Sequence, residues 1–174
     1  MPDDVPAVPG TTPAGGGVRL ADVGWDDAEA AALRDEQQAE LAARYDGVED
    51  LEPVLPAEQM IATVLVRVDG CAVACGSLRV VPELGAGVGE LKRMYVRPGY
   101  RGRGLSRLVL RALESRALDA GLDRLVLETG VRQPEALGLY RSAGYRQVAR
   151  YGAYLDEPGS VCLARTIRDN LTGP

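Results

Sequence analysis

Histidine is absent from this 174-residue chain. Imidazole is thereby excluded as a general base, a metal ligand and a member of a catalytic triad, so any proton transfer must use carboxylate, phenol, amine, thiol or water. Cysteine is scarce: Cys71, Cys75 and Cys162 are the only three, and an odd count of this kind reads as reduced core residues rather than a disulfide framework. No apolar run reaches the roughly 18 residues of a membrane span, and the start lacks the basic-then-apolar order of a secretory leader. The expectation is a cytoplasmic chain that makes no use of a membrane. Positive charge is not in surplus either: the net charge is −5, which argues against broad nucleic-acid binding and is compatible with a cationic amine as substrate.

What is present suffices for a core, since 46% of the residues are apolar and a chain of this length is one ordinary domain. Residues 1–17, rich in proline, glycine and threonine, read as a disordered tail, residues 18–170 as the domain and 171–174 as a short C-terminal tail. A first strand is expected at 18–23. Asp26 then caps a helix, paired with Glu29 in the manner of a capping box, and that helix runs to about Tyr45. The acidic, proline-broken stretch 46–56 is a loop, followed by a helical turn at 57–60.

Apolar and β-branched runs at 61–68 and 71–81 flank Asp69-Gly70, a strong hairpin signal, and 90–96 completes an antiparallel meander. The period then changes: Leu105, Leu108, Val109, Ala112, Leu113, Ala117 and Ala120 mark one face of a helix that Gly121 stops. A strand at 125–127 after this crossover makes a right-handed parallel unit. Pro134 opens another helix that Gly144 ends, and 145–151 and 161–167 supply the last strands of a mixed sheet with helices on its faces.

The chemistry concentrates in Arg101-Gly102-Arg103-Gly104-Leu105-Ser106, between a strand and a long helix. Gly102 and Gly104 let backbone N–H groups turn inward, and the helix start adds the positive end of its dipole, a cradle suited to a pyrophosphate. A plain strand-to-helix turn and an RGG-like RNA contact are the alternatives. A Walker-type loop lacks its Gly-Lys-Ser/Thr, and a dinucleotide fingerprint lacks its third glycine.

These residues resemble the GNAT acetyltransferases, whose motif is glutamine or arginine, two residues, glycine, one residue, then glycine or alanine; Arg101, Gly104 and Ser106 take those places, with serine a small departure. The stretch from Glu90 to Pro98 is similar to that family's fourth strand and the stretch from Glu135 to Tyr145 to its late helix and turn, so the resemblance covers about residues 61–166. It implies an α/β (mixed α+β) fold with a mostly antiparallel sheet of about seven strands, a splayed central strand and helices on both faces. It further implies acetyl-CoA as co-substrate, with no metal. The pantetheine arm would pair with the backbone at Met94, Tyr95 and Val96 as an added strand would, an N–H at Met94 or its neighbour would polarise the thioester carbonyl, and residues 101–106 would hold the pyrophosphate.

By the same resemblance, Glu90 takes the place of a carboxylate base, against the alternative of a solvated glutamate paired with Lys92 or Arg79. Tyr140 takes the place of the tyrosine that protonates the departing sulfur, against the alternative of a core tyrosine. Gln133 stands where many relatives have asparagine. Arg44, Arg79 and Glu128 are further polar candidates for the acceptor side. The implied activity is transfer of an acetyl group to a primary amine of a small molecule, amino-acid-like amines among the candidates, by direct attack through a tetrahedral intermediate. The alternatives are a non-catalytic acyl-CoA-binding sensor and an acetyltransferase of protein N-termini or lysines. The partner is then a small molecule, and the chain a monomer or homodimer.

Overall fold

Two consecutive residues with positive φ, Asp69 at 51° and Gly70 at 84°, reverse the chain between β2, Met60–Val68, and β3, Cys71–Val80. Such a pair matches the twist of the flanking strands, which is why Asp-Gly forms the tight hairpin turn. The structure, a computed structural model, describes residues 17–47 and 54–168. Residues 1–16 of the tail expected at 1–17, the expected tail at 171–174, and positions 48–53 of the expected acidic loop lie outside the described residues; Gly17 is described, its carbonyl accepting the Asp69 N–H at 3.2 Å.

β1, Val18–Val23, pairs antiparallel with β2, and β3 pairs antiparallel with β4, Val88–Val96. A crossover helix, α2 (Leu105–Asp119), leads to β5, Arg124–Gly130, which runs parallel to β4. α3, Pro134–Ser142, is followed by β6, Arg146–Gln147, and β7, Ser160–Thr166. The sheet order is β1-β2-β3-β4-β5-β7-β6. Gly121, at φ 78°, stops α2 where a left-handed residue was expected.

α1, Ala28–Arg44, starts one residue later than expected: Asp27, not Asp26, caps it, accepting the N–H groups of Glu29 and Ala30. Glu29 does not close a capping box; its carboxylate is taken by Arg67 of β2, a cross-element ion pair that the local pattern does not contain. The strand expected at 145–151 shrinks to two residues, Arg146–Gln147, beyond which the Val148 N–H still donates to the Cys162 carbonyl at 3.0 Å.

The helices cover both faces. Val64 and Val66 of β2 join Val109, Leu110 and Leu113 of α2 in the main core, together with Tyr140 and Tyr145, whereas Leu65, the residue between them, packs with Ala30 and Leu33 of α1 and with Cys75 and Tyr95. Alternation along one strand thus serves two helices. Cys75 and Cys162 are buried thiols as expected, but Cys71, at the solvent end of the hairpin, is exposed.

Two irregularities open the sheet. Cys75 faces Tyr95 and Ser77 faces Lys92, so Gly76 alone opposes Arg93 and Met94, a bulge in which Arg93 takes φ 55°. The space at Gly76 is already filled, since a Cβ there would lie 2.6 Å from Val109 Cγ1. On the other side, β4 and β5 pair only from Val88 to Glu90. Beyond that point the parallel strands part, leaving the β5-facing edge of Met94, Tyr95 and Val96 outside the ladder.

Candidate active site

The parted strands bound two adjoining clefts. The first, about 320 Å³, is lined by Met94, Tyr95, Val96, Arg101, Gly102, Leu105 and Ser106, by Gln37, Glu40, Leu41 and Arg44 of α1, and by residues of α3 including Tyr140. The second, about 250 Å³, lies between Lys92, Arg93 and Met94 of β4, Glu128 to Gly130 of β5, and Tyr154, Glu157 and Ser160. Gln37, Leu41, Met94, Gln133, Ala136 and Tyr140 line both and so mark their junction.

Gly102 and Gly104 both take positive φ, 75° and 76°, and Gly104 is the left-handed residue from which α2 starts, with no side chain capping it. A Cβ at either would meet no atom within 4 Å. The turn therefore leaves room beside the uncapped N–H groups of a helix start, and these residues fit a pyrophosphate. Arg101 does not point its charge freely into this space: Nε donates to the Val96 carbonyl at 2.9 Å and Nη2 to Glu40 at 2.6 Å. Arg103 lies outside the cleft lining, stacked 5.1 Å from the Tyr100 ring centroid.

Tyr140 is buried at the junction, and its hydroxyl donates to Met94 Sδ at 3.3 Å. Burial pushes its phenol well above the ordinary tyrosine range, so it holds its proton throughout neutral pH. Glu90 is elsewhere. It is 0% exposed, faces its direct cross-strand partner Arg79 with Nε at 2.6 Å, and accepts the Tyr151 hydroxyl at 2.8 Å. Both carboxylate oxygens are occupied, and neither cleft is lined by Glu90 or Arg79. The pairing with Arg79 weighed in the sequence is present, though buried rather than solvated. Lys92, 3.8 Å from Glu90, connects this buried group to the second cleft by donating to the Tyr154 hydroxyl at 2.6 Å.

Of the remaining candidates, Glu128 stands on the wall of the second cleft, its carboxylate accepting the Ser160 hydroxyl at 2.6 Å. Arg44 belongs to the mouth of the first cleft, bonded to Glu40 and Glu135, both at 3.2 Å. Gln37 was not identified from the sequence. Its signal was available as a polar residue at four-residue spacing between Leu33 and Leu41, in the stripe that α1 turns inward. Among the described residues no group of three or more acidic, cysteine or histidine side chains could hold a metal ion, and no helix is long and apolar enough to cross a membrane.

Buried phenols also predict a pH dependence. Tyr140, Tyr145 and Tyr151 are all raised, first by burial, and for the last two also by the Glu114 and Glu90 carboxylates that accept their hydroxyls. Above pH about 10 the unfolded chain releases tyrosine protons that the native state retains. The unfolded state then binds fewer protons, so stability present in full below pH 10 falls as pH rises, by up to about 1.4 kcal/mol per unit for each tyrosine. Urea midpoints measured from pH 6 to 11.5 should be level between 6 and 8, where no histidine titrates, and decline beyond 10; a level midpoint up to pH 11.5 would contradict the burial of these phenols.

A mixed sheet that parts between two parallel strands, beside a glycine turn at a helix start, is the framework of the coenzyme A-dependent acyltransferases. Comparison with known proteins gives the family. The family model for the acetyltransferase (GNAT) family matches residues 25–145, and the chain belongs to that family: it is an N-acetyltransferase with acetyl-CoA as co-substrate. An IAA acetyltransferase of Azospirillum brasilense is 36% identical over 107 residues, 62% of this chain and 69% of that protein. A candidate acyl-CoA N-acyltransferase from Klebsiella pneumoniae superposes with a TM-score of 0.71 at 33% identity, covering 86% of this chain and 97% of that one. The PaiA N-acetyltransferase of Thermoplasma acidophilum, solved in complex with coenzyme A, superposes with a TM-score of 0.65 over 86% of this chain and 99% of its own, at 12% identity, a likeness of fold.

Proposed function

We propose that this chain transfers the acetyl group of acetyl-CoA to the primary amine of a small molecule by direct attack through a tetrahedral intermediate, with acetyl-CoA in the first cleft and the amine in the second. The observation that carries this reading is that the two clefts meet at Met94 and Tyr140. A thioester lying along β4 would reach the same point as an amine entering past Glu128.

In this reading, the N–H groups of residues 101–106 hold the pyrophosphate, and the open edge of Met94, Tyr95 and Val96 pairs with the amide-bearing arm. Tyr140 gives its proton to the departing thiolate. The base is reassigned: Glu128 faces the amine cleft and takes the proton directly or across one water, whereas Glu90, closed in by Arg79 and Tyr151, positions β4 and Lys92. An alkyl ammonium with a pKa near 10.4 needs such a base at neutral pH. Arg44 guards the cofactor mouth and Arg79 is structural.

The test has two arms. Thiol release from acetyl-CoA, followed across a panel of small amines, should depend on the amine. Replacing Gly104 by valine should weaken acetyl-CoA binding at least tenfold in calorimetry, because a β-branched residue at φ 76° is strained by about 1–2 kcal/mol or more and its side chain enters the phosphate space. Parental affinity in Gly104→Val would remove the loop from the cofactor site.

A further inference from the structure

We propose that the Oε1 atom of Gln37 accepts one N–H of the attacking amine and makes the enzyme selective for primary amines over secondary amines and alcohols. This deepens the acetyl-transfer reading above and rests on it.

Gln37 lies on α1 and crosses to the bulge of β4, where its Nε2 donates to the Met94 carbonyl at 2.7 Å, a contact between residues 57 positions apart. That bond sets the amide orientation, because the flipped form would press two oxygens together. The other end of the amide is then an acceptor. Gln37 Oε1 is buried and has no hydrogen-bond partner, although Gln37 lines both clefts. A buried acceptor left unpaired costs about 1–3 kcal/mol, so a fold retains one where a donor arrives in use.

The place identifies the donor. Gln37 is bonded to Met94, the residue to which the Tyr140 hydroxyl also donates. The Tyr140 proton is directed at Met94 Sδ and, in reaction, at the leaving sulfur. What comes to the junction from the second cleft is a nucleophile with hydrogens on nitrogen.

A neutral primary amine carries one lone pair and two N–H bonds. As the lone pair forms the new C–N bond, the π pair of the thioester carbonyl moves onto oxygen and the nitrogen becomes positive. One N–H proton leaves to the base. The carbonyl then re-forms, the C–S bond breaks with its electrons on sulfur, and the sulfur takes the Tyr140 proton. The second N–H stays on nitrogen throughout and ends as the amide N–H of the product. Gln37 Oε1 holds that hydrogen, aims the lone pair at the carbonyl, and binds it more strongly as the nitrogen gains charge, so the contact favours the transition state over the bound amine. A secondary amine or an alcohol has one hydrogen, which the base removes, and it leaves Oε1 buried without a donor.

The experiment compares kcat/KM for glycinamide and sarcosinamide, and for phenethylamine and N-methylphenethylamine, in the parent, Gln37→Met and Gln37→Glu. The parent should prefer the primary member of each pair by roughly tenfold to a hundredfold, the equivalent of one unpaired buried acceptor. In Gln37→Met that preference should fall to within about threefold, with acetyl-CoA affinity by calorimetry unchanged. Gln37→Glu keeps an accepting oxygen but exchanges the Nε2 donor for an oxygen set against the Met94 carbonyl, so the bond that aims the acceptor is lost and the preference should fall with it. A parental ratio in Gln37→Met would overturn the proposal, as would lost acetyl-CoA affinity with the ratio intact, which would give the oxygen to an amide of the cofactor. If the parent releases no thiol in the presence of any of the four amines, acetyl transfer to small amines itself is overturned.

Discussion

Tyr140→Phe is expected to slow acetyl transfer about a hundredfold while leaving acetyl-CoA affinity nearly unchanged, the pattern of an interaction made only in the transition state. The substitution keeps the ring, which packs edge-on against Tyr145 at 5.7 Å, and removes only the hydroxyl that reaches Met94 Sδ at 3.3 Å. Burial raises the phenol pKa, and the same desolvation makes a thiolate more basic than its free value near 8.5, so transfer between them does not run steeply uphill. Single-turnover measurement with saturating acetyl-CoA isolates the step. Unchanged turnover in Tyr140→Phe would return the residue to the core, where its packing with Tyr145 alone accounts for its burial.

Glu90→Ala is expected to lower unfolding free energy by about 3–5 kcal/mol, because it removes the buried carboxylate that faces the Arg79 guanidinium and accepts the Tyr151 hydroxyl. Arg79 is 6% exposed and Glu90 0%, so solvent screens the pair little. In a domain of this size such a loss shifts the melting midpoint by roughly 10 °C. Glu128→Gln, a near-isosteric change at a half-buried position, should leave the unfolding free energy within about 1 kcal/mol of the parent and should instead suppress amine-dependent turnover. Urea unfolding and thiol release on the two variants separate the roles. If Glu90→Gln has the parental midpoint and loses the acidic limb of the pH profile, Glu90 is the base after all and the reassignment to Glu128 is wrong.

The elements that were legible in the sequence are those whose cause is local. Asp69-Gly70 adopts its tight turn because glycine tolerates φ 84° and aspartate 51°. The apolar face of α2 follows from spacing, and its start at Leu105 follows from a glycine that takes φ 76°. The absence of histidine left carboxylate and phenol among the possible proton carriers, and the structure places the Tyr140 phenol at the junction and the Glu128 carboxylate on the wall of the second cleft. The helix that carries Tyr140 was legible from its own start signal at Pro134, whereas Tyr140 itself was named by the family resemblance.

What tertiary structure decided was which of several equally plausible polar residues meet. Glu90 and Glu128 are both strand glutamates, and their difference arises from register: Glu90 falls opposite Arg79 where β4 is still paired on both sides, and Glu128 falls on β5 after the strands have parted. The bulge that puts Arg93 and Met94 against Gly76 has no signature in any short window, since it depends on two strands and on α2 packing close to Gly76. Gln37 meets Met94 across 57 positions only because α1 is seated on one face of a sheet whose order is settled by long-range pairing. Local propensity and periodicity act over a few residues and so appear in the sequence, whereas the site is assembled from distant segments whose register is a property of the whole sheet.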